Sequence, residues 1–206
     1  LSTNRRKNPF PILCGTSAGA INAAGIACLA DNFGKGVSVL ASFWRNMHAG
    51  DIYRADPLGI GVSGARWMTT LTLGWLIRSR PRSLLDNSPL RELLSRHLDF
   101  RGIERSIANG ALHALSISAS GYESGDNINF FQGHADAQPW HRVQRIGIRS
   151  EIGVDHLLAS SAIPFIFPAA KIHREFFGDG SMRQLAPISP AMSSSRLISA
   201  SSKISG

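Results

Sequence analysis

The sequence predicts an α/β fold, with helices packed around a mostly parallel β-sheet, because short apolar runs alternate with helical stretches along the chain. The 206 residues are 43% hydrophobic and 17% charged, which is typical of one globular domain with a sizeable core. We find no internal repeat and no long linker. We therefore expect one domain over residues 1–192, followed by a Ser- and Ala-rich tail over residues 193–206.

The first predicted strand and helix meet at a short turn that contains two glycines. Residues 10–14 form an apolar run that predicts a buried strand, and residues 18–30 have the composition of a buried helix. Between them lies Gly-Thr-Ser-Ala-Gly, the Gly-x-Ser-x-Gly pattern of a nucleophile elbow, with Ser17 at its centre. We expect Gly15 and Gly19 to prevent a Cβ from striking the neighbouring strand or helix.

The elbow also predicts where charge is stabilised. The Ser17 hydroxyl is expected to point to solvent, and the N–H of Ala18 opens the new helix beside it.

The same residues contain Gly-x-x-x-Gly, a contact motif of transmembrane helices. Residues 11–30 are too rich in small and polar residues for a confident membrane span, so a buried helix is the better interpretation.

The middle of the chain predicts two helices and one unusual apolar segment. Residues 37–47 place apolar side chains near one helical face, and Ser88 with Pro89 forms an N-cap and N1 pair for an amphipathic helix. Residues 59–77 crowd tryptophans and leucines among four glycines. This segment is either a lid that meets lipid or an ordinary buried helix or hairpin.

The second half of the chain predicts three strands and a short helix. Residues 111–120 and 127–132 read as strands separated by a turn, and residues 172–177 as another. Asp155 is expected to cap a helix that Pro164 ends.

The charge and the cysteines exclude several function classes. The net charge is +8, but no basic stripe interleaved with aromatic residues is present, which argues against nucleic acid as a partner. A basic surface suits an anionic membrane, although it is also an ordinary solvated surface. Cys14 and Cys28 have neither zinc-ligand nor disulfide spacing, so we expect reduced core residues. Basic residues 5–7 precede an apolar run, but the Gly-Thr-Ser-Ala-Gly turn inside that run makes a poor secretory signal. Localisation stays open between cytoplasm and membrane periphery.

A serine nucleophile needs a base, and the sequence offers two choices. None of the seven histidines stands in a turn built to present a base, although a triad of Ser17 with Asp155 and His173 stays open. Asp179 follows an aromatic strand, and Gly178 and Gly180 on either side allow a tight turn. A carboxylate within reach of the hydroxyl can act as the base directly.

Several segments in the same order resemble those of bacterial patatin-like phospholipases. The matching segments are residues 15–23, 83–90, 159–164, 167–168, 179–181 and 186–191. The resemblance covers about residues 12–192, and its specificity lies in the ordered set rather than in any single motif.

The resemblance implies a three-layer α/β/α sandwich and a Ser-Asp dyad that needs no histidine, metal or organic cofactor. Ser17 would attack a fatty acyl ester of a phospholipid or related lipid, at a membrane or micelle surface, and form an acyl-enzyme. Asp179, followed by Gly180 of the acid motif, would take the proton and later activate water. The resemblance sets no head group, chain length or oligomeric state.

Two features depart from the family pattern. Ser181 replaces a glycine or alanine of the acid motif, which is a small change. Family members also carry a glycine-rich oxyanion loop after a first strand upstream of the serine, whereas residues 1–11 contain no glycine. Losing one oxyanion donor costs roughly 10²–10³ in rate. We therefore expect a chain that lacks the first strand of the sheet, and either a fragment of a longer enzyme or a non-catalytic relative that at most binds lipid surfaces.

Overall fold

The computed structural model describes residues 8–48, 86–164 and 166–182, and these form seven strands and five α-helices. In chain order they are β1 (Ile12–Thr16), α1 (Ala18–Ala27), α2 (Phe33–Asn46), α3 (Ser88–His97), α4 (Arg101–Ala108), β2 (Ala114–Gly121), β3 (Asn127–Gly133), β4 (Trp140–Arg142), β5 (Arg145–Arg149), α5 (Val154–Ser160), β6 (Ala170–Ile172) and β7 (Glu175–Asp179). Short 3₁₀ turns at Ala30–Asn32 and Gly180–Met182 follow α1 and β7.

Strand β2 is the centre of the sheet. One of its edges pairs with β3 over Ala114–Ser120. The other edge is shared, because β1 pairs with its first part up to Ser118 and β7 pairs with its last part from Ala119. The sheet runs β4-β5-β3-β2-β7-β6, with β1 beside β2.

The sheet is mixed rather than mostly parallel. In the described part of the chain, β1–β2 and β3–β5 are parallel, and the other four pairings are antiparallel. The α/β class is confirmed. The prediction of a mostly parallel sheet is wrong, because the sequence pattern did not reveal two β-hairpins. Turns of two residues, residues 143–144 and 173–174, join β4 to β5 and β6 to β7, and connections this short join only antiparallel neighbours.

Helix α1 packs closely because its buried side chains are small. Ala20, Ala24 and Ala27 are fully buried, and the helix contacts β1, α2 and α4. At the start of α4, a Cβ on Gly102 would lie 2.1 Å from the carbonyl oxygen of Cys28, so glycine is required there. Cys28 itself is buried, as expected of a core thiol, and burial raises its pKa to about 12.

Several predicted boundaries shift in the structure. The helix expected over residues 18–30 ends at Ala27. The helix expected over residues 37–47 begins at Phe33, where Asn32 accepts a hydrogen bond from the N–H of Lys35.

Two predicted helix caps are wrong. Asn87, not Ser88, precedes α3, and Ser88 donates its N–H and hydroxyl to Asp86 Oδ1 at 3.0 and 2.7 Å. Gly153 precedes α5, so Asp155 lies in the first turn instead, and the helix ends at Ser160, before Pro164.

The later strands also differ from prediction. The strand expected over residues 172–177 is a hairpin of β6 and β7, and α4, β4 and β5 were not predicted. The apolar segment over residues 59–77 and the tail over residues 193–206 lie outside the described residues. Among the helices that are described, none is both long and apolar enough to cross a bilayer.

Candidate active site

Ser17 occupies the turn between β1 and α1 in a strained backbone conformation. Its φ is 55° and its ψ is −128°, a region that L-residues rarely adopt. A Cβ on Gly15 would lie 2.3 Å from the carbonyl oxygen of Gly19 and 2.6 Å from the Cα of Ala20. The sharp turn therefore requires glycine at position 15. A Cβ on Gly19 would meet no described atom within 4 Å, so the clash expected there is not seen.

Ala18 begins α1 directly after the serine and is exposed. The first N–H groups of a helix have no acceptor within the helix, so the Ala18 N–H is available to an oxyanion beside Ser17. The Ala20 N–H, by contrast, donates to the Ser17 carbonyl at 2.9 Å.

The register of β2 brings the ends of β1 and β7 together. Thr16, the last residue of β1, is opposite Ser118, and Asp179, the last residue of β7, is opposite Ala119. Because β1 runs parallel and β7 antiparallel to β2 on the same edge, their carboxyl ends meet. Ser17 and Asp179, which are 162 residues apart in sequence, thus become neighbours.

Gly180 allows this close approach. A Cβ at this position would lie 2.4 Å from the carbonyl oxygen of Ser118 and 2.9 Å from Cγ2 of Thr16. A side chain would therefore separate the end of β7 from the end of β1. This is the structural reason for glycine after Asp179.

The end of α5 and the residues just after it contact both strand ends. The buried hydroxyl of Ser160 accepts a hydrogen bond from the Ser17 N–H at 2.9 Å and donates to the Ser118 carbonyl at 2.6 Å. Two residues later, the Ala162 carbonyl accepts from the Asp179 N–H at 2.8 Å. Sequence reasoning gave Ser160 no role, although it lies in a segment that carries the family resemblance.

The carboxylate of Asp179 is almost fully buried, with 3% of the residue exposed. Its Oδ1 accepts a hydrogen bond from the Ser181 N–H at 2.8 Å. Within the described residues, the Ser17 hydroxyl makes no hydrogen bond to this carboxylate. Catalytic hydrogen bonds are often long or misaligned before substrate binds.

Tyr122 lies beside the candidate base, a position that the sequence did not indicate. A Cβ on Gly178 would lie 2.4 Å from the Tyr122 hydroxyl oxygen, so the phenol covers the residue before Asp179. Burial and the nearby charge of Asp179 raise the pKa of Tyr122 above its ordinary value. No spacing in the sequence links the two residues, because the contact depends on the β2–β7 pairing.

The alternative triad of Ser17, Asp155 and His173 is not supported by the positions of its residues. His173 lies in the β6–β7 turn, and the length of β7 places that turn about 13 Å or more from Asp179 at roughly 3.3 Å per residue. Asp155 is instead paired with Arg91 at 2.5 Å. His156 stacks edge-on against Phe130, and burial lowers its pKa. The structure thus brings Asp179, and not His173, to the elbow.

Metal ligands do not surround the elbow in the part of the chain that the structure describes. One group there has the composition of a metal site, formed by His113, His134 and Asp136. It lies where β2 begins, away from the meeting point of β1 and β7.

Comparison with known proteins points in the same direction as the geometry. A family model described as patatin-like phospholipase matches residues 2–192, which is most of the chain. Searches of curated proteins and of solved structures give no match.

Proposed function

The chain belongs to the patatin-like phospholipase family, a family of lipid acyl hydrolases, and from this premise we propose that it cleaves fatty acyl esters of phospholipids or related lipids with a Ser17–Asp179 dyad. The observation that carries the proposal is the shared edge of β2, where the serine after β1 meets the aspartate that ends β7. The strained elbow and the buried carboxylate support the roles of nucleophile and base.

In the first half of the reaction, Ser17 Oγ attacks the acyl carbonyl carbon while its proton passes to the Asp179 carboxylate. One carboxylate oxygen is held by the Ser181 N–H, which leaves the other to accept the proton. The Ala18 N–H donates to the oxyanion of the tetrahedral intermediate. The protonated Asp179 then gives its proton to the departing alcohol, and an acyl-Ser17 ester remains.

In the second half, water replaces the alcohol. Asp179 takes a proton from the water, whose oxygen attacks the acyl carbonyl, and the same N–H stabilises the second oxyanion. Collapse of this intermediate returns the proton to Ser17 Oγ and releases the fatty acid. These steps use groups of the chain and water alone.

The substrate is proposed to be a lipid in a membrane or micelle. The net charge of +8 favours approach to an anionic surface, where phospholipid head groups carry negative charge. The domain responsible is proposed to span residues 1–192.

The second candidate is a relative that binds lipid without hydrolysing it. The observation that favours it is that, among the described residues, Ser17 and Asp179 share no hydrogen bond. In this case the fold would hold the two residues near each other, but the carboxylate would never take up the proton.

A fluorophosphonate probe separates the two candidates, because it reacts covalently with activated serines. We expect intact mass and peptide mapping to show one adduct at Ser17, lost in Ser17→Ala and strongly reduced in Asp179→Asn. Asp31→Asn, which neutralises an exposed aspartate beside α2, is the matched control and should label like the wild type. Absence of an adduct in the folded wild-type protein would favour the lipid-binding candidate.

A further inference from the structure

Two histidines and an aspartate converge at the end of the sheet where β2 begins. His113 precedes β2 and His134 follows β3, and the pairing of Ala114 with Gly133 sets them opposite each other. The His134 N–H donates to the His113 carbonyl at 2.8 Å, and the two imidazole rings stack with centroids 5.9 Å apart. The antiparallel register therefore fixes the spacing of the two rings.

Asp136 completes the group. Its Oδ1 lies 2.8 Å from Nδ1 of His134 and 3.7 Å from Nε2 of His113. The three potential ligand atoms all lie within 4.8 Å of one another. Nε2 of His113 is buried and has no hydrogen-bond partner within the described structure. A buried nitrogen without a partner is costly, and a ligand at this position would satisfy it.

Arg149 holds the loop that carries two of these side chains. Its guanidinium donates to the Gly133 carbonyl at 2.9 Å, to the His134 carbonyl at 3.0 Å, and to the Ala137 carbonyl. The loop backbone is therefore fixed on both sides of Asp136. Such fixed positions reduce the ordering that a bound ion would require.

We propose that His113, His134 and Asp136 bind a zinc ion or a similar borderline transition metal. Two imidazole nitrogens and one carboxylate oxygen are ligands that Zn²⁺ takes, with the remaining position open to water. Ligand atoms about 2.0–2.2 Å from a tetrahedral zinc lie roughly 3.3 Å apart, so the observed spacings need only small side-chain shifts. The ion would replace the proton between His134 and Asp136.

The charges near the group select the kind of metal. A single carboxylate and the neighbouring Arg149 give too little negative charge for Ca²⁺ or Mg²⁺, which rely on several oxygen ligands. Imidazole nitrogens favour zinc, copper or nickel instead.

The site is structural rather than catalytic. Ala114 and Ser118 are four residues apart on β2, so the ion would lie more than about 13 Å from the dyad. It would join the start of β2, the end of β3 and the loop before β4.

Metal titration of the full chain tests this proposal without reference to its activity. We expect calorimetry to show one equivalent of Zn²⁺ bound, and Co²⁺ to give the visible absorption of a low-symmetry nitrogen and oxygen site. Zn²⁺ should raise the midpoint of thermal unfolding, and Mg²⁺ should not. In Asp136→Ala and His134→Ala, zinc affinity should fall by at least about tenfold, since even groups behind the ligands contribute that much.

His141→Ala removes an exposed histidine on β4 and is the matched control, expected to bind zinc like the wild type. Asp136 and His134 are largely exposed, so both variants should fold. The proposal is overturned if the wild type shows no saturable zinc binding, or if both variants bind zinc as tightly as the control.

Discussion

The hydroxyl of Ser160 accepts a hydrogen bond from the backbone N–H of Ser17 at 2.9 Å, across 143 residues of sequence. The same hydroxyl donates to the Ser118 carbonyl at 2.6 Å, on the strand that also pairs with the residue before the nucleophile. One side chain therefore ties the elbow to the central strand. The elbow needs such support, because Ser17 is held at a φ that serine does not favour.

Removing this hydroxyl should loosen the elbow. We expect Ser160→Ala to lower the unfolding free energy by about 1–3 kcal/mol, since the Ser17 N–H is left without its acceptor. The rate of fluorophosphonate labelling at Ser17 should fall as well, and Ser160→Thr should restore part of it. Chemical denaturation and labelling kinetics measure the two effects.

Ser161→Ala is the control for that experiment. The neighbouring hydroxyl is also buried but has no hydrogen-bond partner among the described residues, so its removal should change neither stability nor labelling greatly. Equal losses in the two variants would contradict the supporting role of Ser160.

Gly180 is predicted to tolerate no side chain. In Gly180→Ala the new Cβ would meet the Ser118 carbonyl oxygen at 2.4 Å, and this atom belongs to the backbone of the central strand, which cannot move aside easily. We expect a loss of about 1–3 kcal/mol in unfolding free energy, together with a large loss of Ser17 labelling. Thermal unfolding and the same probe provide the measurement.

Gly153→Ala is a suitable comparison, because a Cβ there would meet no described atom within 4 Å and its φ of −138° suits any residue. It should label at Ser17 like the wild type, and its stability cost should be only that of alanine in place of glycine at a helix N-cap. A Gly180→Ala protein that is as stable and as reactive as Gly153→Ala would show that the ends of β1 and β7 are not in close contact.

The elements with strong local signals were predictable from the sequence. The elbow has both a motif and an apolar run before it, and β2 and β3 have clear strand patterns separated by polar turn residues. The short strands β4 and β6 have three residues each, too few to show a period. The turns that follow these strands contain no glycine that would have marked them in the sequence. Gln144 and His173 adopt the positive φ values there, 57° and 53°.

The candidate site also contains residues that the sequence indicates and residues that it does not. Ser17 and Asp179 each lie within two residues of glycines on both sides, a pattern that marks a sharp turn, so the sequence alone indicates both. Ser160 and Tyr122 act through contacts that exist only once β7 and α5 lie against β2. A single sequence has no local pattern for such contacts.

Backbone strain at Ser17 predicts that glycine is more stabilising than alanine at this position, the reverse of the usual order in a helix. At a φ of 55°, glycine is unstrained and alanine is not, so we expect Ser17→Gly to be more stable than Ser17→Ala by about 1 kcal/mol. Both variants should be inactive. Urea denaturation of the two proteins gives the difference directly, because each removes the same hydroxyl.

Ser38, exposed in the middle of α2, is the control pair for this comparison. Here Ser38→Gly should be less stable than Ser38→Ala by about 1 kcal/mol, the ordinary helical order. The same order at both positions would mean that the elbow stores no strain.

Tyr122 reports on the charge of Asp179 independently of catalysis. A negative carboxylate nearby disfavours the phenolate, so Asp179→Asn should lower the raised pKa of Tyr122 toward the ordinary value of about 10, while burial maintains part of the rise. The absorbance of tyrosinate during an alkaline titration measures this shift. Because Tyr53 is the other tyrosine of the chain, the titration is performed in a Tyr53→Phe background.

The raised pKa of Tyr122 also makes the stability of the protein depend on pH. A folded-state pKa above the unfolded value means that this tyrosine contributes stability at neutral pH that is lost as the pH rises past about 10. That loss should be smaller in Asp179→Asn. Asp126→Asn, a change four residues from Tyr122, is the control and should leave the tyrosine pKa unchanged. If Asp179→Asn also leaves the pKa of Tyr122 unchanged, the carboxylate does not lie beside the phenol, and the placement of the base next to the elbow is wrong.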